Sequence, residues 1–179
     1  MNYGQSTGFS ITMLRPEPSL DNQFLAEHIA RLCDSYHRLT GKWLTDLADF
    51  DPADSQNLAQ AIYYAPFSLL SHGTEPDPIF NYANLTAQRL FEMDWSEFTQ
   101  LPSRRSAEAV NQAQREKLLA TVTQQGFIEG YTGLRVSKRG KRFSITNVTI
   151  WNVLDTAGNY YGQAAVWRPI AFEKQAISD

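Results

Sequence analysis

The sequence predicts an α+β fold: a five-stranded antiparallel sheet with helices on one face, preceded by a helical extension. Three observations carry this. The stretch IFNYANLTAQRLFEMDWSEF, Ile79 to Phe98, reads as a short strand running directly into two capped short helices. Beyond Gly126 lie three β-rich runs separated by explicit turns. Ahead of both, apolar residues recur at helical spacing from Leu20 to Leu39.

Taken in order, residues 1–18 hold Gly4, Gly8, Pro16 and Pro18 among small polar residues and read as a loose arm. Leu20, Phe24, Leu25, His28, Ile29, Leu32, Tyr36 and Leu39 then form one apolar helix face, and Gly41 supplies its stop. A polar, Asp-rich bridge from Asp46 to Asp54 leads to a shorter helix, about Ser55 to Tyr64, which Pro66 ends. Phe67 to His72 is expected as the first strand, with Gly73 after it. The Pro-broken turn Glu75-Pro76-Asp77-Pro78 separates it from the second, Ile79 to Tyr82.

Asn84 N-caps a helix carrying Ala87, Leu90 and Phe91. Asp94 caps the next, and Glu97 completes a capping box. Pro102 and the run Ser103-Arg104-Arg105-Ser106 interrupt the pattern. Asn111 with Gln114 then caps a helix carrying Leu118, Leu119 and Val122, and Gly126 stands at its C-terminal end. The strands Phe127–Val136 and Arg142–Leu154 flank a basic turn. Asp155-Thr156-Ala157-Gly158 makes a second turn before the last strand, Tyr160–Trp167. Within Phe143–Leu154, Phe143, Ile145 and Trp151 share one parity while Val148, Ile150 and Leu154 share the other. Either a bulge or cover on both sheet faces is expected there.

Composition narrows the function. A net charge of −3 gives no overall field toward nucleic acid. The dense basic cluster Lys138-Arg139-Gly140-Lys141-Arg142 reads as a solvated hairpin tip. A single cysteine, Cys33, rules out an intramolecular disulfide framework, and as a helix residue beside Leu32 it reads as core. There is no secretory pattern at the start, and no apolar run approaches the roughly 18 residues a membrane span needs. A cytoplasmic protein is expected, with neither nucleic-acid nor membrane partners.

The element order from Ala65 to Ile170, with Asn84 opening the first helix and an Asp155-x-x-Gly158 turn before a strand begun near Gly162, resembles the PAS fold. Five segments carry a closer likeness: Ala65-Pro66-Phe67, the run SHGTEPDPIFNY from Ser71 to Tyr82, Leu101-Pro-Ser-Arg104, Gly126-Phe127-Ile128 and Gly162-Gln-Ala-Ala165. These resemble the MEKHLA domain family, a PAS-like group of small bacterial, notably cyanobacterial, proteins. The family also forms the C-terminal domain of plant class III homeodomain–leucine zipper transcription factors. The bacterial stand-alone form extends over the helix ending Ser35-Tyr36-His37-Arg38-Leu39-Thr40-Gly41, so the likeness spans roughly residues 20–170. The division it implies is an arm at 1–18, a helical extension at 19–64, the PAS-like domain at 65–170 and a tail at 171–179. The resemblance implies sensing or protein interaction, with no defined ligand. Where many PAS modules lead into a signalling helix, this chain has Arg168-Pro169-Ile170, and Pro169 disfavours such a helix. Output is therefore expected through a partner protein or self-association.

Two functional readings follow. In the first, a small molecule sits between helices and sheet, lined by Tyr82, Leu90, Phe91, Phe98, Arg105, Leu118, Val122, Leu134, Asn147, Trp151 and Gln163. In the second, the core is filled and the domain acts as a protein-interaction or homodimerisation module. Its interface would then be Phe24, Leu25, Ile29, Leu32 and Tyr36, unless that helix covers its own sheet. The sensor reading expects an interior cavity with an inward Asn147 or Gln163, whereas the interaction-module reading expects no such cavity and a buried contact made by the Leu20–Leu39 helix. Haem is disfavoured because His28, His37 and His72 all precede the pocket helix. His72, Glu75 and Asp77 read as turn residues rather than metal ligands. A covalent flavin adduct is excluded, since Leu101–Ala107 has no cysteine. Non-covalent flavin, with Gln163 at a ring edge and Arg104 or Arg105 at a phosphate, stays open. No nucleophile triad, phosphate loop or paired-histidine motif suggests an enzyme, and convergence of His72, Glu75, Asp77 and Arg135 is the remaining catalytic alternative.

Overall fold

Hairpin turns and strand alternation draw the chain into one five-stranded antiparallel sheet with both faces covered. The computed structural model describes residues 15–47, 58–108 and 112–169. Its helices are α1 (Ala26–Thr40), α2 (Leu58–Tyr64), α3 (Leu85–Phe91), α4 (Trp95–Phe98) and α5 (Gln112–Gln125). Its strands are β1 (Ser68–His72), β2 (Phe80–Ala83), β3 (Phe127–Val136), β4 (Arg142–Leu154) and β5 (Tyr160–Trp167), in the order β2-β1-β5-β4-β3. Short 3-10 turns occupy Leu20–Leu25, Leu44–Leu47 and Ser103–Ser106. The expected cap at Asn111, the expected helix start near Ser55, most of the Asp-rich bridge, residues 1–14 and the tail lie outside the described residues.

The turns follow their predicted chemistry. Gly140 donates to the Ser137 carbonyl at 2.9 Å, and Gly158 donates to the Asp155 carbonyl at 3.0 Å. Lys138 at the basic tip pairs with Glu97, so the exposed tip is also fastened to α4. Gly162 allows β5 to cross β1 closely: with φ at +139°, a Cβ there would stand 2.0 Å from the His72 carbonyl oxygen.

Asn84 organises the junction of β1, β2 and α3. Its Oδ1 accepts from the backbone of Leu69 and Ala87, and its Nδ2 donates to the carbonyls of Ile62 and Phe67. The N-cap thus also ties α2 to the sheet. Asp94 and Glu97 form the expected capping box on α4.

The parity conflict in β4 resolves into a bulge. Asn147 adopts φ +51°, and the β3–β4 register slips there, from Tyr131↔Val148 to Gly133↔Ile145. Ile145, Val148 and Ile150 consequently pack into one cluster with Leu70, Phe91 and Val122 under α3 and α5. Trp151, Val153 and Val166 pack into the opposite cluster with Ile29, Leu32 and Tyr36 of α1. Both alternatives, bulge and double cover, hold together.

The N-terminal helix differs from expectation at its start. Residues Leu20–Leu25 form a 3-10 turn with Gln23, Phe24 and Leu25 at positive φ, and the regular helix begins at Ala26. The break turns Phe24 into the core, 5.9 Å from the Tyr63 ring. The predicted Gly41 stop is in place, its N–H donating to His37. Residues at the end of the expected loose arm are tied down. Pro18 is buried, the Trp95 indole donates to the Arg15 carbonyl, and the Tyr63 hydroxyl donates to Glu17.

The face offered as an interface turns inward in the single chain. Phe24, Ile29, Leu32 and Tyr36 are at most 3% exposed within the single chain, and Leu25 packs at the edge of the same cluster. Burying such side chains yields roughly 1.5–3 kcal/mol each, and α1 realises that gain on its own sheet.

Candidate functional site

The helix-side floor of the sheet combines apolar walls with a polar centre. Direct antiparallel partners share a face, so the register places His72 of β1, Gln163 of β5 and Asn152 of β4 side by side. All three are buried. The Gln163 amide nitrogen reaches the Leu119 carbonyl and Thr123 Oγ1, both at 3.1 Å, and Asn152 Oδ1 at 3.2 Å. Asn152 Nδ2 donates in turn to the Thr123 carbonyl at 3.2 Å. This Gln–Asn pair latches α5 to the sheet.

His72 sits at the edge of that latch. Its Nδ1 lies 2.9 Å from the Gly73 carbonyl, which only accepts, so Nδ1 carries the proton. Nε2 is then a bare acceptor, and it is buried without a hydrogen-bond partner. Burial holds the His72 pKa below the usual imidazole value, with the Arg115 charge adding to the effect. Across the floor, Arg115 of α5 donates to Ser103 Oγ at 2.9 Å. Burial, then the nearby Arg135 charge, lowers its pKa to about 10. Arg135 of β3 is 9% exposed, bonds the Leu134 carbonyl at 2.8 Å and lies over the Tyr131 ring at 5.6 Å. Neither arginine has an ion pair among the described residues.

The predicted lining residues divide. Leu90, Phe91, Phe98, Leu118 and Val122 belong to the helix-side cluster, and Gln163 points into α5, bonded to Leu119 and Thr123. Tyr82 and Trp151 face the other way, under α1. There the Tyr82 ring lies 5.7 Å from His28 and the Trp151 ring 5.0 Å from Tyr36. The ladders they belong to carry a bulge between Ser71 and His72 and another at Asn147. Leu134 pairs with exposed Ser144 on the outer face. Asn147 is exposed at the bulge, and Arg105 is exposed on the 3-10 turn. Sequence reasoning missed Arg115 and left Arg135 to the catalytic alternative. Arg115 lies on α5 and Arg135 on β3 opposite Phe143, and their helix and strand neighbours are ordinary.

Three further features bear on the site. Asp77 accepts from Arg104 at 3.0 Å and Glu75 Oε2 lies 3.4 Å from the Ile79 N–H, so both carboxylates serve the turn. No metal-ligating cluster of three occurs among the described residues. On the outer face, an open cleft of about 460 Å³ is lined by Tyr36, Lys42, Glu129, Asn147, Thr149 and Arg168, with Lys42 and Glu129 paired across it at 2.7 Å.

On the α1 side, His28 Nε2 lies 3.0 Å from Ser71 Oγ, whose single hydrogen goes to Asn81 Oδ1 at 2.6 Å. His28 therefore donates from Nε2. Burial, then the charges of Arg15 and Arg31, lowers its pKa to about 4. No described helix is long and apolar enough to cross a membrane.

A family model described as the MEKHLA domain matches residues 26–172. No curated protein matches the chain. Among solved structures, the chain is similar to the PAS domain of a protein from Colwellia psychrerythraea. The TM-score is 0.55 and the identity 15%, over 63% of this chain and 92% of that one. It is also similar to a light-oxygen-voltage domain studied with a flavin analogue (TM-score 0.52, identity 19%, coverage 61% and 81%). A PAS domain from a two-component sensor histidine kinase matches at TM-score 0.50 and 14% identity, over 62% and 91% of the two chains. At these identities the likeness establishes the five-stranded PAS-like fold.

Proposed function

Because the chain belongs to the MEKHLA domain family, with a PAS-like sensor fold, we propose that it is a regulatory domain binding a small molecule between α5 and the sheet. The observation that carries this reading is the polar floor. A core built only for stability is apolar or has its polar groups satisfied. Here a buried imidazole nitrogen lacks a hydrogen-bond partner beside the buried amides of Gln163 and Asn152, with the Arg115 charge nearby. Ligand sites combine an apolar wall with a few convergent polar groups in this manner.

We read the domain as a binding module rather than an enzyme, with output through a partner protein. Ser71 and His72 are adjacent in β1 and face opposite sides of the sheet, one toward His28 of α1 and the other toward the polar floor. A ligand that shifts β1 would thus be felt directly by the N-terminal layer. A partner of different sequence is preferred to a twin, since α1 turns its apolar face into its own chain.

Native mass spectrometry of untagged protein tests the proposal. An added small-molecule mass, lost on denaturation and absent from a Gln163→Leu variant that still folds, is the expected result. A bare chain whose melting temperature ignores a broad metabolite panel would overturn it.

A further inference from the structure

The cleft of about 460 Å³ on the outer sheet face lies across the sheet from the α5 floor. It forms where α1 runs out. The helix ends at Thr40, while Asn147 in β4 and Arg168 after β5 stay exposed beyond it. Thr149 and Val166, direct partners in the β4–β5 ladder, share the outer face and line the cleft from below. Tyr36 and the Lys42–Glu129 pair wall it on the α1 and β3 sides.

The charges in this cleft are unequally committed. Lys42 and Glu129 offset each other at 2.7 Å, yet a surface pair of this kind is weak enough to exchange partners. The bond uses Oε1 of Glu129, which leaves Oε2 to accept from a ligand. Arg168 stands on the other side of β4 from Glu129 and has no ion pair among the described residues. The bulge presents the Asn147 amide, a donor and an acceptor, to the same cleft. An unmatched guanidinium, an exchangeable carboxylate and an amide in one cleft are the complement of a zwitterion.

We propose that this cleft is a second ligand site and takes a free α-amino acid. Its carboxylate bonds the Arg168 guanidinium and the Asn147 amide N–H, and its ammonium bonds Glu129. Because β3 and β5 both flank β4, their backbones stand only about 10 Å apart. That span admits one amino-acid head group between side chains reaching in from each strand. The site is independent of the ligand reading under α5.

Nitrogen-15 spectra of the full chain test it, with each of the common L-amino acids added to roughly 10 mM, enough to detect millimolar affinity. At least one is expected to move the backbone signals of Glu129, Asn147, Thr149 and Arg168 together and to saturate. For that amino acid, Glu129→Gln and Arg168→Gln, both at exposed positions, should melt with the parent and bind about tenfold or more weakly. Its deamino analogue, propionate in the case of alanine, should be weakened alike. An analogue that binds as well as the amino acid would remove the contact with Glu129 and overturn the assignment. So would variants that keep the parent's affinity, or cleft signals that ignore every amino acid. Shifts confined to the side-chain amides of Gln163 and Asn152 would put the ligand under α5, overturning this site while supporting the other.

Discussion

Asn84 shows how one side chain ties sequence to tertiary structure. It was legible as an N-cap, yet its Nδ2 also satisfies two carbonyls from α2 and the loop before β1. Asn84→Ala would leave four buried backbone groups short of a partner, so urea denaturation should show a loss of about 3 kcal/mol or more, well beyond a simple cap deletion. Gly162 behaves similarly, since its positive φ and the His72 carbonyl both exclude a side chain. The polar floor was half legible. Gln163 was singled out as discriminating should it point inward, and its amide does reach Leu119, Thr123 and Asn152 on the α5 side. Asn147 was not distinguishable from it in sequence, because a bulge changes which face a residue takes without any glycine or proline to announce it. Gln163→Leu should loosen α5, seen as faster amide exchange over Gln112–Gln125 and a stability loss of about 1–3 kcal/mol.

Among the elements, helices and strands marked by caps and turns were read close to their true bounds, whereas the 3-10 turn at Leu20–Leu25 was absorbed into a longer helix. Apolar spacing continues through it, and the kink arises from tertiary packing of Phe24 against Tyr63 and Tyr64. The same spacing left open what α1 covers, because an apolar stripe does not identify the surface it meets. Leu32 is fully buried within the chain. Leu32→Glu should therefore unfold the protein as a monomer rather than dissociate an oligomer. The milder Leu32→Ala should cost about 2–5 kcal/mol in denaturant titrations at any protein concentration. A stability that tracked concentration would instead place α1 at an interface between copies.

For the whole molecule, the sandwich of α1 and α2, sheet, and α3 to α5 buries imidazoles on both faces of β1. His28 and His72 both have folded pKa values below the ordinary 6.5. The unfolded chain then binds more protons over that interval, so stability is full above pH 6.5 and falls as the pH drops toward the His28 value of about 4. The His28 contribution is on the order of 3 kcal/mol at most. His28→Phe, which keeps a ring beside Tyr82, should flatten the stability profile between those limits. The central claim remains that the molecule encloses a ligand site under α5, and it is tested most directly by a crystal structure of untagged protein inspected at His72 Nε2. Density larger than a water, bonded to His72 and lying between α5 and the sheet, is the predicted result. A lone water on His72, with the floor otherwise closed by protein, would contradict it.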